Sequence, residues 1–324
     1  MMELHDQTSL SLQHILQAQH RIKPFVQQTP LISSGKLNNI YEGSIYLKLE
    51  NLHETGAFKL RGAANKLLSL TTTEKLNGVT TFSTGNHGVA VAYMAQKLGI
   101  EATICISNRV PDAKVKRLEA YGANIVKVGE SQDDAAKHCY RLQKEGKTLI
   151  EPFDDLAIIE GQGTIGLEIL NALPDIDLII IPVSGGGLFA GIAYVLKTYH
   201  KNIKVVGVSM ERSAVMYESI RANKPIILKE HDTLADSLLG GIGQHNRYTF
   251  SAVKKYIDEF VLVSEDEIKE AMNYMLEEHK QLIEGAAATS IAAILSEKVH
   301  VQHKKVAAII TGNNVNLSVL RTIL

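Results

Sequence analysis

"LIIIPVSGGGLFAGIAYVL", residues 178–196, carries no charged side chain, and its length approaches that of a membrane-spanning helix. Pro182 and the Gly185-Gly186-Gly187 run fall in its middle, where a helix would break. A buried strand, a glycine loop and a buried helix accommodate the same residues without that conflict. The stretch therefore reads as one strand–helix unit of a sheet protein.

The unit repeats along the chain. From residue 79, the short apolar runs "VTTFS", "ATICIS", "NIVKVG" and "TLIEP" suit buried parallel strands. Between them, "HGVAVAYMAQKLG", "DAKVKRLEAYG" and "SQDDAAKHCYRLQKEG" have helical spacing and end at Gly99, Gly122 and Gly146. "KVVGVS", "EFVLVS" and "KVAAIIT" continue the alternation, and Ser264 with Glu267 opens "EDEIKEAMNYMLEEH" with a capping box. The expected fold is α/β: two doubly wound parallel-sheet lobes with a cleft between them. Ligands of such sheets bind at the carboxyl ends of strands, so the loops there are where chemistry is sought.

Bulk properties narrow the function classes. A chain of 324 residues favours two lobes, and 45% hydrophobic with 21% charged residues is an ordinary globular composition. Thirty-four basic against 35 acidic side chains give a net charge of -1, with no footprint for nucleic acid or an anionic membrane. Cys105 and Cys139 cannot build a disulfide framework and are too far apart for a CxxC pair, so a reducing cytoplasm is expected. The opening "MMELHDQTSL" lacks the apolar core and cleavage site of a secretory leader. Twelve histidines show no HExxH spacing, and no zinc site is expected.

Three stretches could carry chemistry. In "TGAFKLRGAA", residues 55–64, Lys59 lies between Phe58 and Leu60. It either snorkels along apolar surface or is desolvated so that its amine is neutral and nucleophilic, and this stretch alone favours the first. In "STGNHG", Ser83 to Gly88, small and hydroxyl residues at a helix start either cap it, through Ser83 or Thr84, or leave N–H groups for a carboxylate. Asn86 and His87, side by side in a turn, tip the balance toward function. In "SGGGL", Ser184 to Leu188, three glycines exceed what strand–helix packing needs and point to a phosphate cradle, although neither a Walker A loop nor GxGxxG is present. A lysine, a carboxylate-binding turn and a phosphate loop are what a pyridoxal-phosphate enzyme needs for amino-acid substrates.

The ordered set is more specific than its parts. "TPLIS" at 29–33, "ENLHETGAFKLRG" at 50–62, "STGNHG" at 83–88, "PFDDLAIIEGQGT" at 152–164, "SGGG" at 184–187, "IEG" at 283–285 and "TGNN" at 311–314 span essentially the whole chain. In that order and spacing the chain resembles the fold-type II pyridoxal-phosphate enzymes, of tryptophan synthase β-subunit-like fold, in their threonine/serine dehydratase and serine racemase branch.

The resemblance implies that Lys59, beside Phe58, carries pyridoxal 5'-phosphate covalently, and that Asn86 pairs with its phenolic oxygen. Gly185, Gly186 and Gly187 would hold its phosphate, and the Thr311 hydroxyl would meet its pyridine nitrogen, where the family usually has serine. Ser83, Thr84, Gly85, Asn86 and His87 would bind the substrate. Thr84 falls where racemase-like members place the serine that protonates the second face of Cα. Residues 1–52 and 153–324 would form a large cofactor-binding domain, 53–152 a small domain closing over the substrate, and two chains a homodimer. The implied activity is loss of water from a hydroxy amino acid such as threonine or serine, giving a 2-oxo acid and ammonia. A racemase or epimerase on the same scaffold is the runner-up, and a non-catalytic sensor a remote third.

Several positions depart from the family pattern. Ala57 stands where serine is usual, removing a polar contact near the phosphate. Ser209 and Val215 replace the carboxylates that bind a divalent cation in racemase-like members, and Glu211 is two residues out of register, so no metal is expected. The chain ends ten residues after Asn314, with no regulatory domain expected. "LADSLLGGIGQHNRYTF", residues 234–250, is closer to a sub-branch of hydroxyectoine-utilisation dehydratases. Asp133-Asp134 suits a helix N-terminus, and Asp154-Asp155 is expected to be structural rather than an acid–base pair.

Overall fold

The structure, a computed structural model, describes residues 9–110 and 112–323. The first eight residues, where most of the opening stretch lies, are outside the described residues.

Apolar runs become strands where they are buried on both faces. The strands are β1 (Leu31–Ser33), β2 (Ser44–Leu49), β3 (Val79–Thr81), β4 (Ala102–Ile106), β5 (Asn124–Lys127), β6 (Thr148–Leu149), β7 (Leu178–Pro182), β8 (Lys204–Met210), β9 (Glu259–Val263) and β10 (Lys305–Ile310). Every residue of β7 is buried, because β10 and β8 flank it and helices cover both faces. The stretch 178–196 is thus a central strand, a glycine loop and the helix Gly187–Tyr199. Among the described residues, no helix is long and apolar enough to cross a membrane.

The strands sort into a six-stranded sheet, β1-β2-β10-β7-β8-β9, and a four-stranded sheet, β5-β4-β3-β6. The four-stranded sheet is wholly parallel. The six-stranded one is parallel except for β1, which runs antiparallel to β2 with Ile32 opposite Leu47. The expected α/β architecture of parallel sheets is thus present, with one antiparallel strand at an edge. Helix Gly35–Tyr41 joins β1 to β2, and a lone antiparallel edge strand on an otherwise parallel sheet is common in α/β folds.

Helix Asn86–Leu98 ends at Gly99 with φ 66°, and Ser264 with Glu267 forms the expected reciprocal cap. Asp134 caps its helix with Ser131, while the Asp133 side chain lies outside the described residues. Asp155 caps helix Leu156–Ala172, and Asp154 accepts from the backbone N–H groups of Arg247, Tyr248 and Thr249. Both aspartates hold structure together. Cys105 and Cys139, distant in sequence, are free, buried and share one neighbour: Thr80 Oγ1 donates to Cys139 Sγ at 3.3 Å and lies 3.9 Å from Cys105 Sγ.

The loops of interest follow strand carboxyl ends, as the fold dictates. Ser83–Gly85 follow β3, Ile150–Pro152 follow β6, Ser184–Gly186 follow β7, and Thr311 follows β10.

Candidate active site

Lys59 is the first residue of helix Lys59–Ser69. Two contacts fix the chain entering it: Phe58 N–H donates to Thr311 O at 3.0 Å, and Ala57 bridges Gly312 antiparallel. Its Nζ donates to Pro152 O at 2.7 Å and lies 5.3 Å from the centroid of the Phe58 ring. Burial lowers the amine to about 8, against a smaller upward pull from Glu284. The lysine is therefore desolvated rather than snorkelling, and it holds a free amine far more readily than a surface lysine.

His87 hangs from the same short segment. Its Nε2–H donates to Ile150 O at 3.0 Å, which leaves Nδ1 as a bare, buried acceptor without a partner among the described residues. Burial, with Lys59 nearby, lowers its imidazole to about 3, so the ring is neutral. Asn86 and His87 are the first residues of helix Asn86–Leu98 and not members of a turn. Its N-cap is Gly85, with no side-chain capping bond, so neither Ser83 nor Thr84 caps it. The helix simply starts later than the hydroxyls. Its first N–H groups face an end that no side chain closes, and Ser83, Thr84 and Gly85 are half-buried beside it.

Glu284 joins this loop to the six-stranded side. Asn86 Nδ2 donates to its two oxygens at 2.8 and 3.1 Å, Asn314 N–H donates at 3.1 Å, and Asn314 Nδ2 donates to Asn86 Oδ1. Burial pushes the Glu284 carboxyl up to about 7, opposed by the Asn86 bond. Sequence reasoning assigned Glu284 no role, although it is the carboxylate of the quoted "IEG", set between an isoleucine and a buried helix.

The glycine run is packed more tightly than expected. A Cβ at Gly185 would meet the Phe153 ring at 2.3 Å, one at Gly186 would meet Val253 at 2.8 Å, and one at Gly187 would meet Phe153 O at 2.9 Å. Packing alone thus requires all three, and the number of glycines is no argument for phosphate. The better argument is that helix Gly187–Tyr199 also begins without a side-chain cap, leaving first-turn N–H groups for an anion.

The residues fit a phosphorylated pyridine aldehyde. Thr311 Oγ1 is buried and finds no hydrogen-bond partner among the described residues, a cost relieved by a ring nitrogen acceptor. A desolvated amine, an uncapped helix start and an unpaired hydroxyl offer one group for each part of such a molecule. At the cation positions of racemase-like proteins, Ser209 donates to Met210 Sδ at 3.4 Å and Val215 is buried in the core. Glu211 lies 3.7 Å from Lys298. Among the described residues, no three metal-ligating side chains cluster.

Comparison with known proteins agrees with this geometry. A family model described as pyridoxal-phosphate dependent enzyme matches residues 22–312. The L-threonine ammonia-lyase of Thermotoga maritima is 40% identical over 97% of this chain and 78% of its own length. A Staphylococcus aureus protein named L-threonine dehydratase catabolic TdcB is 41% identical over 95% of this chain and 90% of its own. The structure of maize serine racemase superposes with a TM-score of 0.91 at 34% identity, covering 97% of this chain and 96% of that one.

Proposed function

We propose that this chain, which belongs to the pyridoxal-phosphate dependent enzymes and is a lyase of their threonine/serine dehydratase branch, removes water from threonine or serine. The observation that carries the assignment is Lys59: a desolvated amine lowered to about 8, at the head of a helix and bonded to Pro152 O.

When bound, the cofactor supplies an aldehyde that captures amines and a ring that accepts electrons. Phe58, Asn86, Gly185, Gly186, Gly187 and Thr311 would hold it, with Lys59 as its covalent anchor. A hydroxyl at Thr311, unlike a carboxylate, does not keep the ring nitrogen protonated. The ring is then a weaker electron sink, which favours prompt loss of a β-substituent.

The chain's own groups supply the rest. Ser83 to His87 hold the substrate carboxylate on the positive end of helix Asn86–Leu98. Lys59, once freed, takes the Cα proton, and its lowered pKa suits that role near neutral pH. The Cα–H and Cβ–O bonds break, a C=C bond forms, and hydroxide leaves with a proton as water. The released enamine tautomerises and hydrolyses to a 2-oxo acid and ammonia.

The same reading takes 53–152 as a closing domain, the cytoplasm as the compartment and a homodimer as the assembly. A racemase activity is the second reading, supported by the Thr84 hydroxyl in the substrate loop and by the likeness to maize serine racemase. A panel of hydroxy amino acids, including one derived from hydroxyectoine, tests the assignment, with product identified as oxo acid or D-isomer. Oxo acid and ammonia from threonine or serine are expected. D-isomer as the main product would overturn it.

A further inference from the structure

Two residues beyond Lys59, on the same helix, Arg61 is almost wholly buried, yet it is charged. Its guanidinium forks onto two buried carboxylates from different parts of the fold. Nε and Nη2 donate to Glu50 at 2.7 and 2.8 Å, and Nη1 and Nη2 donate to Glu168 at 2.6 and 2.8 Å. Lys48 donates to Glu168 and, at 2.7 Å, to Thr29 O, while Thr29 and His53 also bind Glu50. Two cations and two anions thus balance in a buried cluster.

Such a cluster is a poor source of stability, because desolvating four charges offsets most of their attraction, and apolar residues of similar volume do as well. What it supplies is geometry. Glu50 follows β2, Glu168 lies on helix Leu156–Ala172, and Arg61 locks both to the helix that starts with Lys59. There the two helices touch backbone to backbone: a Cβ on Gly161 would lie 2.6 Å from Arg61 O and 2.7 Å from Gly62 Cα. Neither helix can slide or turn there without breaking a two-pronged pair.

We propose that Arg61, through its paired bridges to Glu50 and Glu168, is the positioning residue that sets where the Lys59 amine stands. This rests on the role given to Lys59 above. The effect is mechanical rather than electrostatic. Burial and Glu284 are what shift the Lys59 amine, and the cluster's charges are not among the causes.

The test uses the cofactor-loaded enzyme with Arg61→Met, Arg61→Lys and Glu168→Gln. All three are expected to lower kcat, by up to about 10²-fold for a misplacement of about 1 Å. KM should stay within about twofold, the pattern of a lost transition-state contact. The absorbance maximum of the bound cofactor should also shift. Arg61→Lys keeps the charge without the fork, so it should behave like Arg61→Met; wild-type behaviour would overturn the proposal. So would opposite displacements of the absorbance pH titration in Arg61→Met and Glu168→Gln with kcat retained, the mark of a through-space charge effect. If Arg61→Met does not fold, Glu168→Gln, similar in size, carries the test alone, and an unchanged kcat and spectrum there would overturn it. Lys59→Ala separates the two levels: cofactor absorbance surviving in that variant overturns the role of Lys59 itself.

Discussion

Asn86 Nδ2 reaches both oxygens of Glu284, at 2.8 and 3.1 Å, and so ties the start of helix Asn86–Leu98 to the helix start before β10. Because burial lifts the Glu284 carboxyl from 4.5 to about 7, this link changes charge near neutral pH. Between those two values the folded protein keeps a proton that the unfolded chain has released. Stability of the cofactor-free protein is therefore highest below the window, falls as pH rises through it, and is flat above. The full effect is on the order of 3 kcal/mol. Melting curves of wild type and Glu284→Gln, from about pH 5 to about pH 8, check this. The wild type should lose ground to the variant as pH rises, and a pH-independent difference would refute it.

Lys59→Ala is expected to lose the cofactor's absorbance and essentially all turnover. The next lysines along the chain cannot substitute. Lys66 is paired with Asp155 at 2.5 Å, and Lys75 lies on helix Thr72–Asn77, which buries none of its residues. Spectra and product assays on the purified variant decide the matter. Wild-type turnover would remove the assignment.

What the sequence revealed and what it hid follow from how local each interaction is. β3 to β10 were legible because each is a short apolar run between turn signals, and β7 is the clearest case. β1 and β2 were not. In "SIYLKL" the charge of Lys48 interrupts the apolar pattern, and the carboxylate that makes its burial tolerable, Glu168, comes 120 residues later. Asn86 and Glu284 are 198 residues apart, so no local pattern marks the carboxylate as part of the site. Lys59 was ambiguous for the same reason, since the acceptor its amine meets, Pro152 O, comes from a distant loop. The packing role of the glycine run was hidden in the same way, because the Phe153 ring that demands Gly185 comes from another loop.

Chelation is expected to leave activity nearly unchanged. A hard cation needs several oxygen ligands, and Ser209 and Val215 occupy the positions where racemase-like members offer carboxylates. Glu211, half-exposed beside Lys298, already has a cationic neighbour. Turnover before and after EDTA, with magnesium or calcium added back, is the measurement. A large loss restored by either ion would contradict this and bring Glu211 back as a ligand.

Thr84 decides how much of the second reading survives. Gly85 is the helix N-cap, so the Thr84 hydroxyl is released from the capping role that threonine serves well. It remains half-buried in the loop assigned to the substrate, where it could deliver a proton to the face of Cα opposite Lys59. Its extra methyl, compared with serine, restricts χ1 and crowds that face, so elimination should outrun protonation. Thr84→Ala is then expected to leave dehydration largely intact while abolishing exchange of the Cα proton on the second face. Deuterium incorporation into recovered substrate of each hand, in heavy water, separates the two for wild type and variant. Should the wild type form the D-isomer faster than the oxo acid, elimination is not the main reaction and the racemase reading takes its place.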